Sequence, residues 1–180
     1  LTHSLTGVLL ARAGLNRLTP RATALAIGAA NLPDLDIVSG VRGSLCYLAQ
    51  HRGFSHALFW APLVALAPLP VWWWFTRKQA PGPRQWVGAY VVSLLAVISH
   101  LMLDWLNVYG IRLKLPFSGE WLRLDLVNIV DVWLWAGLLL CVLGPMLGRL
   151  VDSEMGGKRS RAGGRGMAWL GLAAVVGYVG

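Results

Sequence analysis

Three long stretches of this chain are almost free of charge. Residues 57–76 contain no charged side chain, 85–103 contain no Asp, Glu, Lys or Arg and a single histidine, His100, and 131–150 are charged only near their ends, at Asp131 and Arg149. An α-helix needs about 20 apolar residues to cross a hydrocarbon core of ~30 Å. The expectation is therefore an all-α, polytopic membrane protein. Composition agrees: 56% of residues are hydrophobic, 13% are charged, and mean hydropathy is +0.58.

Before the first long run, residues 4–15 and 21–32 read as two helices separated by a break from Asn16 to Pro20. Each is only ~18 Å long at 1.5 Å per residue, too short to span alone. They predict a short N-terminal helical hairpin buried against other helices. Pro62, Pro68 and Pro70 predict kinks in the first long run. It ends in Trp72, Trp73, Trp74 and Phe75, then Arg77 and Lys78, an interfacial aromatic belt with a basic anchor. Residues 80–84 form a turn, 108–130 a mixed connection, and 156–166 a flexible basic loop. Residues 167–180 begin a fourth span. The chain opens at Leu1 and stops at Gly180 inside an apolar run, which reads as a fragment of a longer protein. The expected organisation is one membrane-embedded domain over 1–180, with about four spans plus the hairpin.

The net charge of +8 would suit nucleic acid, but the basic residues cluster in short turns between apolar runs. The positive-inside bias accounts for that placement, so lipids are the expected partners and nucleic acid is not. With the turns at 12–21, 77–84 and 149–165 on the cytoplasmic side, 11 of the 16 Lys and Arg residues fall there. This arrangement sends His3, Asp34, Asp36, His51, His56, His100 and Asp104 to one face, the outer one. Cys46 and Cys141 form no metal-ligand spacing and no disulfide framework, and read as structural.

Ionisable groups near a bilayer are kept where they have partners or a task. His100 and Asp104, at i and i+4, project from one helix face. An imidazole with a carboxylate suits zinc, with manganese or iron as alternatives. His51 and His56 are five residues apart, which places His51 in a loop and His56 in a first helical turn with Ser55 as N-cap. Arg52 between them suits an anionic oxygen, or else pairs with Asp34 or Asp36. The two aspartates serve as metal ligands or water activators, or one of them merely forms a turn after Pro33. His3 joins the set as a further ligand. Asp131 is either an outer support of the site or a helix-start carboxylate. The expected assignment is His3, Asp34, His51, His56, His100 and Asp104 on metal, Asp36 as general base and Arg52 on substrate.

Two other chemistries rank lower. Residues 53–57 half-match a nucleophile elbow but lack its second glycine and a preceding strand. Paired axial histidines for haem, His56 and His100, would leave the aspartates idle.

The motifs THSLTG at 2–7, NLPDLD at 31–36, HRGFSH at 51–56, SHLMLDWLN at 99–107 and PFSG at 116–119 together resemble the YdjM-type family. These are bacterial inner-membrane proteins described as LexA-regulated and as metal-dependent hydrolases. The resemblance runs through most of 2–151. It implies a bacterial, stress-linked (SOS) hydrolase with His3, Asp34, Asp36, His51, His56, His100 and Asp104 at its site. The His-x-x-x-Asp helix is more distantly similar to zinc-dependent phospholipase C and P1-type nucleases, which hydrolyse phosphodiesters. The expected reaction is attack of metal-activated water on an ester or phosphodiester. A metal-binding membrane sensor without turnover is the alternative.

Overall fold

A computed structural model describes residues 1–43, 51–154 and 163–179. Cys46, the end of the small-residue loop before His51, and most of the expected basic loop lie outside the described residues. Among the described residues there are seven α-helices and no strand: α1 (Thr2–Ala13), α2 (Ala22–Asn31), α3 (Ala61–Val64), α4 (Leu69–Thr76), α5 (Pro83–Leu106), α6 (Val132–Glu154) and α7 (Gly163–Val179). The all-helical expectation holds.

α1 and α2 form the expected hairpin and occupy the centre. Their facing surfaces are small, so the backbones approach closely: a Cβ on Gly7 would lie 2.9 Å from the Ala26 carbonyl oxygen. Ala26, Ala29 and Ala30 of α2 are fully buried, packed with Val92, Ala96, Val97 and Leu101 of α5. The other side of α1, through Leu5 and Leu9, packs on Leu134, Leu138 and Val142 of α6 and on Ala168 and Val175 of α7. α1 thus separates two apolar clusters and joins them.

Three helical segments are long and apolar enough to cross a membrane: Leu58–Gln79, Pro83–Leu106 and Val132–Val151. The first is interrupted as its prolines predict, with α3 and α4 divided around Pro68. The fourth expected span corresponds to α7, 17 residues long. The aromatic belt divides. Trp73, Trp74 and Phe75 are exposed, whereas Trp72 is buried and its indole Nε1 donates to the Pro20 carbonyl at 2.9 Å. Its hydrogen bond draws it inward to close the hairpin turn.

After α5 the chain doubles back over the helix end. Backbone N–H groups of Leu124, Leu126 and Val127 donate to the carbonyls of Trp105 and Leu106. The mixed region 108–130 is thereby a lid of irregular backbone, satisfied by the carbonyls a helix C-terminus leaves free.

Candidate metal centre

Four elements deliver the polar residues to one end of the bundle. The first turn of α1 brings His3, the 3-10 stretch Pro33–Arg42 brings Asp34 and Asp36, the 3-10 turn Phe54–His56 brings His56, and the last turns of α5 bring His100 and Asp104. One ligand atom each from Asp34, His56, His100 and Asp104 falls within 4.8 Å of the others. His56 and His100 are fully buried and Asp104 nearly so, while the Asp34 side chain is 47% exposed.

The far side of each imidazole decides what its inner nitrogen offers. His100 Nδ1 lies 2.7 Å from the Ala30 carbonyl oxygen. A carbonyl only accepts, so Nδ1 carries the proton and, in the neutral ring, Nε2 presents a lone pair. His56 Nδ1 is 3.4 Å from Asp36 Oδ2 and 3.0 Å from Ser55 Oγ, which assigns its proton in the same way. The two Nε2 atoms then face each other at 3.1 Å. Asp104 Oδ2 is 3.3 Å from one and 3.4 Å from the other; Asp34 Oδ1 is at 3.8 and 3.6 Å. Four acceptors aimed at one point repel unless a proton or a cation stands between them.

These separations also test what fits. Four N and O donors at about 2.0–2.2 Å from a tetrahedral zinc are about 3.3–3.6 Å apart, and the observed values bracket that range. The donor set suits zinc or a similar divalent transition metal and lacks the oxygen count of calcium. Without a metal the same carboxylates favour a proton: burial opposes a charge on His56, yet hydrogen bonds to Asp104, Asp34 and Asp36 outweigh it and push its pKa up to about 10, a proton on Nε2 that a bound cation would displace. Asp34 is held below the usual carboxylate range: burial works against it, but its hydrogen bond to His56 and the His100 and His3 rings prevail. Asp36 is likewise lowered against burial, by His56 and by the Arg52 backbone N–H.

The remaining predicted residues surround this set. His3 Nε2 contacts the other Asp104 oxygen at 3.4 Å, and its ring stacks on His100 with centroids 3.9 Å apart. His51 is one layer back, with Nδ1 3.3 Å from Asp36 Oδ1. Asp36, expected as general base, faces the outer nitrogen of His56 instead. Its oxygens also meet Ser55 and take the Arg52 backbone N–H at 2.7 Å. That N–H reaches Asp36 because Arg52 adopts φ +51, a left-handed backbone rare for a side chain with a Cβ. The Arg52 guanidinium, expected free for substrate, lies 3.3 Å from Asp104 Oδ2, donates to the Gly110 carbonyl at 2.7 Å and rests over the Tyr109 ring. Ser55 is not an N-cap; its hydroxyl lies between Asp36 and His56. Asp131 stands apart as the helix-start residue, accepting the Leu134 N–H at 2.9 Å and the Tyr178 hydroxyl.

Two contributors escaped the sequence reading. Asn107 donates to Asp104 Oδ1 at 3.2 Å, and its carbonyl oxygen accepts from the Tyr109 and Gly110 N–H groups. Its position three residues after Asp104 was the available signal. The Ala30 carbonyl had none, because a backbone acceptor leaves no mark on residue type. An open cleft of about 260 Å³ reaches the site past His3, Asp34, Arg52, Asp104 and Asn107 and is walled by Leu103, Val127, Leu134 and Trp135.

The description of the YdjM inner membrane protein family matches residues 1–180. The chain belongs to that family. This YdjM-family chain is also similar to the uncharacterized protein YfhP of Bacillus subtilis (strain 168), at 31% identity over 114 residues, 61% of this chain and 32% of YfhP. It thus spans about a third of the length of that curated relative. No solved structure matches. Family membership and three membrane-length helical segments make the chain a membrane protein with a group of Asp and His residues able to hold a metal ion.

Proposed function

We propose that this is a metal-dependent hydrolase of a bacterial inner membrane, multi-pass, with its site at the outer face. Asp34, His56, His100 and Asp104 would hold one divalent cation, zinc by preference. The observation that carries the reading is the pair of Nε2 atoms 3.1 Å apart, each ring held from behind through Nδ1 and each Nε2 flanked by carboxylate oxygen. A cation held there supplies a Lewis acid that acidifies water and polarises an ester or phosphodiester oxygen.

The chain's own residues do the rest. Asp36 orients His56 through Nδ1, and His51 steadies Asp36 from the other side, a carboxylate–imidazole relay of the kind that tunes metal ligands. We therefore assign Asp36 to positioning. Asp34, the exposed member of the set, borders the cleft and is the ligand that whatever enters there meets first. Arg52 and His3 pair with Asp104 and hold it in register. The cleft's polar end and apolar walls suit a lipid or envelope ester.

The test measures metal per chain and hydrolysis of a phosphodiester and ester panel in wild type, His56→Ala and His100→Ala. One ion per chain with turnover in wild type, both lost in the variants, is the expected result. Unchanged metal in both variants would sink it. The four-donor count favours a second reading, because a closed coordination sphere is the mark of structural sites. Stoichiometric metal without turnover across the panel would select a non-catalytic metal-binding or sensor role.

A further inference from the structure

The opposite end of the bundle concentrates charge of the other sign. Arg12 of α1, Arg17 of the turn after it, Arg149 of α6 and Arg165 of α7 line one open cleft of about 370 Å³. Among the described residues no carboxylate lines this cleft and none of the four arginines makes an ion pair. Four guanidiniums brought from four segments repel one another, and water screens that only in part.

The cleft is also organised. Arg12 Nη1 donates to the Val142 carbonyl, and Arg165 Nε donates to the Ala13 carbonyl at 3.0 Å. Two glycines let guanidiniums lie against the backbone. Arg165 Nη2 is 3.4 Å from where a Cβ on Gly14 would stand, and Arg149 Nη2 is 3.2 Å from the same point on Gly164. The remaining N–H donors form forks of the kind that match phosphate oxygens. Directly beside the cleft, α6 exposes Leu143, Met146, Leu147 and Leu150, within a helix of membrane-spanning length. A free phosphate ion would answer the arginines and leave that strip uncovered; a phospholipid answers both.

We propose that this cleft binds the phosphate of an anionic phospholipid, with an acyl chain along the α6 strip. Basic pockets between membrane helices recognise such headgroups. The site is separate from the metal centre and independent of its chemistry.

The experiment uses the full chain in nanodiscs of phosphatidylcholine with or without phosphatidylglycerol, followed by native mass spectrometry of retained lipid. Wild type should keep phosphatidylglycerol in preference to phosphatidylcholine. Each arginine near a membrane surface is worth about a fivefold change in lipid affinity, so Arg17→Ala with Arg149→Ala should lower retention about 25-fold. Neither side chain makes a described internal hydrogen bond, so the fold is kept. Arg123→Ala, exposed beside Asp125, should change nothing. Chelating metal should leave retention unaltered. Equal retention by the double variant would overturn the proposal, as would equal retention of phosphatidylcholine. Displacement of the lipid by inorganic phosphate at matched concentration would assign the cleft to the free ion and overturn it too.

Discussion

The same helices end in two different electrostatic solutions. At one end, three carboxylates and one guanidinium interlock with buried imidazoles, and the buried Asp104 Oδ2, Arg52 Nε and His3 Nδ1 are left without a hydrogen bond. At the other end, four arginines face an open cleft that no carboxylate lines among the described residues. Burial explains the difference. A desolvated charge is tolerated only when paired and hydrogen-bonded, whereas a half-exposed guanidinium keeps water and can wait for an external anion. The first end is able to hold a cation and packs its groups tightly. The second is looser: Arg12 and Arg165 are held by backbone carbonyls, while Arg17 and Arg149 make no described internal hydrogen bond.

Breaking the buried end should have the largest effect. Asp104→Ala removes a donor and strands Arg52, His3 and Asn107; losing one partner of a buried pair costs about 3–5 kcal/mol. A large drop in thermal midpoint in detergent, with loss of bound metal, is expected. Asp104→Asn keeps the shape and should lose the metal with a smaller drop; an unchanged metal content there would dissolve the contrast between the two ends. Asp36→Asn weakens the support of the far nitrogen of His56, along with the contacts to His51, Ser55 and the Arg52 N–H, so metal affinity should fall about 10- to 100-fold while the isosteric side chain lets the protein fold. Competition against a fluorescent zinc chelator reads this, and an affinity within twofold of wild type would remove Asp36 from the relay.

Gly7→Ala tests the scaffold beneath the site. The added methyl meets the Ala26 backbone and must push α1 from α2, at about 1–3 kcal/mol for such overpacking. A thermal midpoint equal to wild type would show that the hairpin tolerates a wider crossing. Lys114→Ala gives the smallest effect. Lys114 and Glu120 form an ion pair at 2.9 Å with both side chains more than half exposed, and such pairs contribute about 0–1 kcal/mol. A loss beyond that range would show that the lid over α5 depends on its surface charges.

Much of the site was legible in local spacing, and its limits were those of spacing. His100 and Asp104 point the same way because a helix repeats every 3.6 residues, and that follows from the sequence alone. Asp34 and Asp36 gave no such handle. Both lie in one turn with equal chemistry, yet one faces the paired Nε2 atoms and the other the Nδ1 of His56. Arg52 was expected on substrate or paired with Asp34 or Asp36, yet its guanidinium meets Asp104, 52 positions away. Trp72 looked identical to Trp73 and Trp74 until the Pro20 carbonyl drew it inside.

The sequence by itself determined that this chain is helical, that its long apolar runs match a membrane, and that its histidines and aspartates are held near the ends of those runs. Those properties are local: hydrophobicity summed over twenty residues and side-chain direction within a turn. Only the tertiary structure decided which atoms meet. His3, Asp34, His56 and His100 come from elements up to a hundred residues apart, and the Ala30 carbonyl that fixes the His100 proton belongs to a helix 70 positions away. Convergence of that kind depends on how closely α1, α2 and α5 approach, and the approach is set by Gly7 and the buried alanines that allow the backbones to touch.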